Sequence, residues 1–151
     1  MKKRKRVAVL VLSTVFGRGH KRVGQPTHFV ESMQAGTKLH TIRANTELWR
    51  RRAAKIDAGE MELSIRVWSG RPYRSQQVEV ARLTQLHVQS IEAVMGATDA
   101  LPRVWIDGQE VADVEQVARN EGLELADWVG LFLKRTNHYE GVVLQFGSFR
   151  Y

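Results

Sequence analysis

The chain has 151 residues, 43% of them hydrophobic and 26% charged, with a formal net charge of +7 and no cysteine. That length suits one domain with a real core and is short for two. The composition favours neither a disordered chain nor a membrane class, and the missing cysteine excludes disulfides, thiol catalysis and thiolate metal sites.

The basicity is local, because Lys2, Lys3, Arg4, Lys5 and Arg6 supply five of the charges and leave +2 for the remainder. We therefore divide the chain into a flexible basic arm over 1–6 and a single domain over 7–151. Such an arm either touches phosphates or stays solvated. Its junction with Val7-Ala8-Val9-Leu10-Val11-Leu12 imitates a secretory signal. No small-residue cleavage site follows, however, and Arg18, His20, Lys21 and Arg22 come directly after the apolar run. A buried strand over 7–16 is expected instead, closed by Gly17-Arg18-Gly19, whose spacing is not that of a phosphate-binding loop. No apolar stretch is long enough to cross a bilayer, so a cytoplasmic protein is expected.

Phe29, Val30 and Met33 predict a short helix after Pro26-Thr27, ending at Gly36. Next comes Gly36-Thr37-Lys38-Leu39-His40-Thr41-Ile42-Arg43, which gathers an amine, a hydroxyl and a guanidinium where a helix meets a strand. Strand alternation places Thr41 and Arg43 on one face, so Lys38 reaches Thr41 only from the bend before the strand. A helix from Asn45 or Thr46 to about Asp57 follows, with Trp49, Ala53 and Ile56 as its apolar stripe and Arg50, Arg51, Arg52 and Lys55 around it. Two readings of that basic surface stand: a solvated face, or a phosphate-contacting one in which Arg50 takes part.

Met61, Leu63, Ile65 and Val67 alternate with polar neighbours as in a half-buried strand. A turn over 69–75 leads to a longer strand region from Val78 to about Val94. Trp68, Arg71, Tyr73 and Arg74 interleave rings and cations there, which fits base stacking as well as plain hairpin packing. Asp107-Gly108 marks a tight hairpin between 104–106 and 109–111. Helices are expected from Asp113 to about Glu121 and from Glu124 or Leu125 to Arg135, then a closing strand from Val142 to Phe146. Val114, Val117, Ala118 and Glu121 share one helical face, so a carboxylate ends a stripe that otherwise faces the core. Its burial and its place at a helix C-terminus are both expected to raise its pKa.

Gly36, Lys38, Thr41, Ile42 and Arg43 resemble the G-x-K-x-x-T-I-R signature of the ASCH domain, a small β-barrel related to the RNA-binding PUA domain. Strands broken by short helices without a βαβ repeat read as α+β, and the resemblance implies a PUA-like/ASCH β-barrel with short peripheral helices. Small members of that family are amidohydrolases that deacylate N(4)-acetylcytidine with a lysine, a threonine and a glutamate. Lys38 and Thr41 match the first two; Glu121, in Glu121-Gly122-Leu123-Glu124-Leu125, matches the third. The implied roles are Lys38 as base, Thr41 as nucleophile, Glu121 as acid and Arg43 as support for the oxyanion. RNA binding and ribonuclease activity are the alternatives that the family offers.

Three departures bear on substrate choice: His40 inside the signature, the helix directly after it, and a longer span before Glu121. That helix is expected to close over the cleft. His40 falls opposite Thr41 and reads as a packed or surface histidine. The five histidines show no ligand-type pairing, so no metal is expected, and no cofactor either. The expected partner is a modified nucleoside or RNA, met by a monomer.

Overall fold

In the computed structural model, which describes residues 4–151, the apolar start of the chain forms β1 (Arg6–Val11) and the next element is α1 (Phe29–Gln34). There follow β2 (His40–Arg43), α2 (Thr46–Asp57), β3 (Met61–Trp68), β4 (Gln77–Leu83), β5 (His87–Val94), β6 (Arg103–Ile106), β7 (Gln109–Glu110), α3 (Val114–Asn120), α4 (Leu125–Phe132) and β8 (His138–Gln145). The fold is α+β. Its strands make a three-stranded sheet ordered β1-β3-β4 and a five-stranded sheet ordered β2-β8-β5-β6-β7. No ladder joins the two sheets among the described residues.

Among the described residues only the β1–β3 pair is parallel. Between the sheets lies one core, which takes Leu10, Leu63 and Ile65 from the first and Ile91, Ala93, Val104, Val142 and Leu144 from the second. Trp49, Ala53 and Ile56 of α2 and Val117, Ala118 and Trp128 of α3 and α4 complete it. β8 is buried from Gly141 to Gln145 because it lies between β2 and β5 with both faces covered, which explains its unbroken Val142-Val143-Leu144 run.

Several boundaries differ from the expected ones, each for a local reason. β1 stops at Val11, and the chain then turns back on itself: Phe16 N–H donates to Gln25 O (3.0 Å) and Thr27 N–H to Thr14 O (3.0 Å). Residues 13–17 are therefore a loop rim and not the end of a strand. The basic arm is shorter than expected, since Arg6 already pairs with Met61 in β1. Arg4 and Lys5 are exposed, and Lys2 and Lys3 lie outside the described residues. The single strand region over 78–94 is two strands in different sheets, separated at Thr84-Gln85-Leu86 with Leu86 buried. α4 ends at Phe132 instead of Arg135, and the last strand starts at His138 instead of Val142. The Asp107-Gly108 hairpin forms as expected, with both residues at positive φ.

Gly141 is fixed by a close approach. A Cβ built there would lie 2.4 Å from the Arg43 carbonyl oxygen on the neighbouring β2. Gly141→Ala is thus expected to push β2 off β8 and destabilise the fold by about 1–3 kcal/mol. Chemical denaturation measures it, and an unchanged midpoint would contradict this packing.

Candidate functional site

Three short backbone links tie the signature to α1, to the end of α3 and to the residue that follows β8. Lys38 N–H donates to Ser32 O (3.0 Å) at the end of α1, Leu39 N–H donates to Asn120 O (2.7 Å), and Phe146 N–H donates to Leu39 O (3.0 Å). Asp113 caps the start of α3 by accepting from Gln116 N–H (3.1 Å), and Glu121 caps its end. Gly122 then turns the chain away at φ +87°, a left-handed conformation that costs glycine little. A Cβ at Gly122 would also press on Lys38 Cβ and Cδ at 3.4 Å. The helix end, Lys38 and β2 are consequently packed as one unit.

Glu121 is buried at the centre of that unit. Its Oε1 accepts from Ile42 N–H at 2.9 Å and lies 3.4 Å from both Thr41 Oγ1 and Lys38 Nζ. Its Oε2 lies 2.7 Å from His40 Nδ1. Lys38 Nζ donates to the Glu121 carbonyl at 2.6 Å and sits 4.3 Å from the centre of the Phe29 ring. Among the described residues no hydrogen bond joins Lys38 Nζ to Thr41 Oγ1, and the carboxylate oxygen lies against both. Arg43 Nη2 donates to Val11 O (2.8 Å), which ties β2 to the end of β1.

The electrostatics correct one expectation. Burial alone would raise the Glu121 pKa, but the Lys38 charge, the His40 contact and the Ile42 N–H outweigh it and hold the group below the ordinary carboxylate value. Glu121 therefore rests ionised, and the raised pKa expected from burial and the helix dipole is overturned by these converging donors. Lys38 is shifted as well. Desolvation pulls its pKa below the usual lysine value, with Arg43 assisting and Glu121 opposing. Tyr139 nearby is pushed up to about 12, mainly by burial and then by the Glu121 charge.

Thr41, Ile42, Arg43 and Glu121 reach a cleft of about 170 Å³. Its walls are Phe29, Phe132 and Leu131, with Ser13, Val15, Phe16 and Gly17 of the loop rim on the other side. That rim is anchored to α4: His20 stacks on Phe16 at 4.4 Å, and Arg22 Nη1 donates to Asp127 Oδ2 at 2.6 Å. Lys38 and His40 are buried behind the floor and do not line the cleft.

A wider groove of about 590 Å³ runs beside it, sharing Ser13, Val15 and Gly17 with the cleft and lined further by Trp68, Arg71, Pro72 and Tyr73. Trp68 and Tyr73 pack on each other with ring centres 5.0 Å apart, and Tyr73 is 88% exposed. Arg74 is exposed and lines neither depression. Arg50 is not at the site. It lies on α2, where the charge of Asp107 in the β6–β7 turn is its neighbour. The expected closure of α2 over the cleft is also overturned, because α2 packs on β3, β5 and β8 and contributes no lining residue.

Two features escaped the sequence reading. His40 is indeed packed, but against the candidate site, where it joins Glu121 to Tyr151. Glu92, His138 and Glu140 bring three donor atoms within 4.8 Å of one another on β5 and β8, and none of the three lines the cleft. That trio could meet one cation, yet His138 lies 3.4 Å and 3.5 Å from the two carboxylates and accounts for the cluster as an ion-pair group when protonated. Spacing along one strand hid it, because Glu92 meets Glu140 only through the β5–β8 register. An open depression of about 420 Å³ beside these glutamates holds no signature residue.

Set against known proteins, this chain has no significant match among family models, curated sequences or solved structures. Its class is therefore defined by the geometry itself: an α+β domain with a buried carboxylate held between a lysine and a histidine under a threonine-bearing cleft.

Proposed function

We propose that this protein is a PUA-like, ASCH-type hydrolase that removes the acyl group from the exocyclic amine of N(4)-acylated cytidine. The observation that carries it is the buried Glu121 carboxylate, fixed 3.4 Å from the Thr41 hydroxyl at the floor of a cleft with aromatic walls. A cleft of about 170 Å³ takes one base-sized ring and leaves a sugar outside. The Phe29 and Phe132 rings in its walls suit a flat pyrimidine.

The chemistry assigns the first proton acceptor to Glu121 Oε1, the oxygen that Thr41 meets directly, and places Lys38 behind it as the charge that keeps it ionised. Thr41 Oγ attacks the acyl carbon as its proton moves to Oε1. The tetrahedral oxyanion faces Arg43. Collapse breaks the carbon–nitrogen bond, and Glu121 returns the proton to the departing amine. Water then attacks the acyl-threonine ester, gives a proton to Glu121, and the alkoxide of Thr41 recovers it. The 3.4 Å contact in the free protein is long and must shorten when substrate binds.

Incubation with N(4)-acetylcytidine and, separately, with RNA tests the reading by chromatography. Release of cytidine and acetate is expected. Intact acetylcytidine at high enzyme concentration would refute it. Lys38→Arg sorts the roles, because a guanidinium keeps the charge but cannot accept a proton. Residual turnover supports Glu121 as first acceptor; complete loss in a variant that still folds returns the base role to Lys38.

The groove favours a second reading, RNA binding, since Trp68, Tyr73 and Arg71 offer rings and a cation beside the cleft. Tyr73→Ala or Trp68→Ala should then weaken single-stranded RNA binding by about 1–3 kcal/mol. Tyr73→Ala should leave the melting temperature nearly unchanged, because the ring is exposed. Unaltered RNA affinity in both variants would leave these rings as hairpin packing.

A further inference from the structure

His40 and Tyr151 are used by nothing in the mechanism above, yet they are joined to its central carboxylate. His40 Nε2 lies 2.5 Å from Tyr151 Oη, and Asn120 Nδ2 donates to the same oxygen at 3.0 Å. Arg119 Nη2, which can only donate, meets Gln116 Oε1 at 3.0 Å, so Gln116 Nε2 donates to Asn120 Oδ1 at 2.6 Å and the amide nitrogen of Asn120 faces Tyr151. An ionised carboxylate only accepts, so His40 Nδ1 carries a proton, and in the neutral ring Nε2 then offers a lone pair. The phenol oxygen already accepts from Asn120, so its own proton is free to go to Nε2. Every donor then points the same way: Gln116 to Asn120, Asn120 to Tyr151, Tyr151 to His40, and His40 to Glu121.

We propose that Asn120, Tyr151 and His40 form a one-directional hydrogen-bond chain that locks the Nδ1–H tautomer of His40 and turns Glu121 Oε1 toward Thr41, making Tyr151 and His40 positioning residues of the site. The chain holds Oε2, which frees Oε1 for the reaction side. Tyr151 is well placed to be a fixed point. Its backbone N–H donates to Gln89 Oε1 (3.1 Å), and its carbonyl accepts from Gln89 Nε2 (3.3 Å). Gln89 is itself braced by Gln145 Nε2 at 3.0 Å and by Asp107 Oδ2 at 2.9 Å. Burial keeps the phenol protonated by raising its pKa, against the Asn120 contact. The end of α3, β2, β5 and β8 thus converge on one imidazole.

This inference rests on the deacylase reading for its kinetic half and on geometry alone for its spectroscopic half. The first measurement is nitrogen-15 NMR of the His40 ring in the whole protein. A protonated Nδ1 and an unprotonated, hydrogen-bonded Nε2 are expected in the parent. Tyr151→Phe, which removes one oxygen, should shift the Nε2 signal and admit the second tautomer. The second measurement is a cycle with His40→Asn, whose amide can still donate to Glu121 but cannot reach Tyr151. Tyr151→Phe should lower kcat about tenfold or more in the parent with KM unchanged, and have no further effect in the His40→Asn background. A proton on Nε2 in the parent would overturn the chain. Equal losses in both backgrounds would overturn it too, since Tyr151 would then act by another route. Should the parent deacylate nothing, the functional reading fails by itself and the ring signals alone decide the tautomer lock.

Discussion

Thr41→Val is expected to abolish deacylation while leaving the protein folded, with kcat lower by on the order of 10³-fold or more. Valine keeps the volume and branching of threonine, which β2 needs, because Thr41 is buried and packed between β8 and the end of α3. Its hydroxyl contributes little stability: the one hydrogen bond it makes among the described residues, to Glu121 Oε1, is 3.4 Å long, and such a bond is worth at most about 1 kcal/mol. The carboxylate does not lose its support either, since Ile42 N–H, His40 and Lys38 remain. Substrate affinity should persist, because the aromatic walls and Arg43 are untouched. Parallel measurement of turnover on N(4)-acetylcytidine, of ligand affinity and of melting temperature checks all three statements. A Thr41→Val protein that still released cytidine at the parent rate would remove the nucleophile from the mechanism and favour the binding reading of the cleft.

Much of the site was legible because its parts follow local rules. The helix stripe Val114, Val117, Ala118 and Glu121 is buried as its spacing demands, and the carboxylate at its end does face inward. Likewise Gly36 ends α1, and Lys38 lies before the first residue of β2, in the bend from which alternation required it to act. The charge state of Glu121 was not legible. Burial and the helix dipole are local quantities, while the groups that overrule them, Lys38 first and then His40 and Ile42 of β2, lie about eighty positions earlier in the chain. His40 is packed, as expected, but what it packs against was hidden for a related reason. Alternation puts it opposite Thr41, but β2 is buried on both faces, and the two oxygens of one carboxylate serve both neighbours. Nothing near His40 in sequence announces Tyr151. The loop over 13–17 resembled the end of a strand because Val15 and Phe16 are apolar; their place is explained by the cleft wall and by the Val15–Pro26 bridge.

The largest stability effect should come from parting Lys38 and Glu121. Lys38→Met fills the same slot with an unbranched chain but leaves Glu121 desolvated with its principal opposing charge removed, at a cost of about 3–5 kcal/mol. Against a total of roughly 5–15 kcal/mol the fold survives, with a much lower denaturation midpoint. Glu121→Gln should be costly too, yet the double variant Lys38→Met with Glu121→Gln should lose less than the sum, because it buries no unmatched charge. The pH dependence gives the sign. Glu121 has a folded pKa below its reference value of 4.5, so it contributes stability that is fully present above that value and is lost as pH falls through the lower folded value. In Lys38→Met the attraction of the ammonium is gone while desolvation stays, so the carboxyl pKa climbs and stability fades at higher pH than in the parent. In Glu121→Gln this part of the acid limb disappears. Denaturation midpoints followed from about pH 3 to pH 7 would show the three behaviours side by side. Costs that simply add in the double variant, with parallel pH curves throughout, would mean that the two groups are not coupled. The proton acceptor at the floor of the cleft would then have to be sought elsewhere.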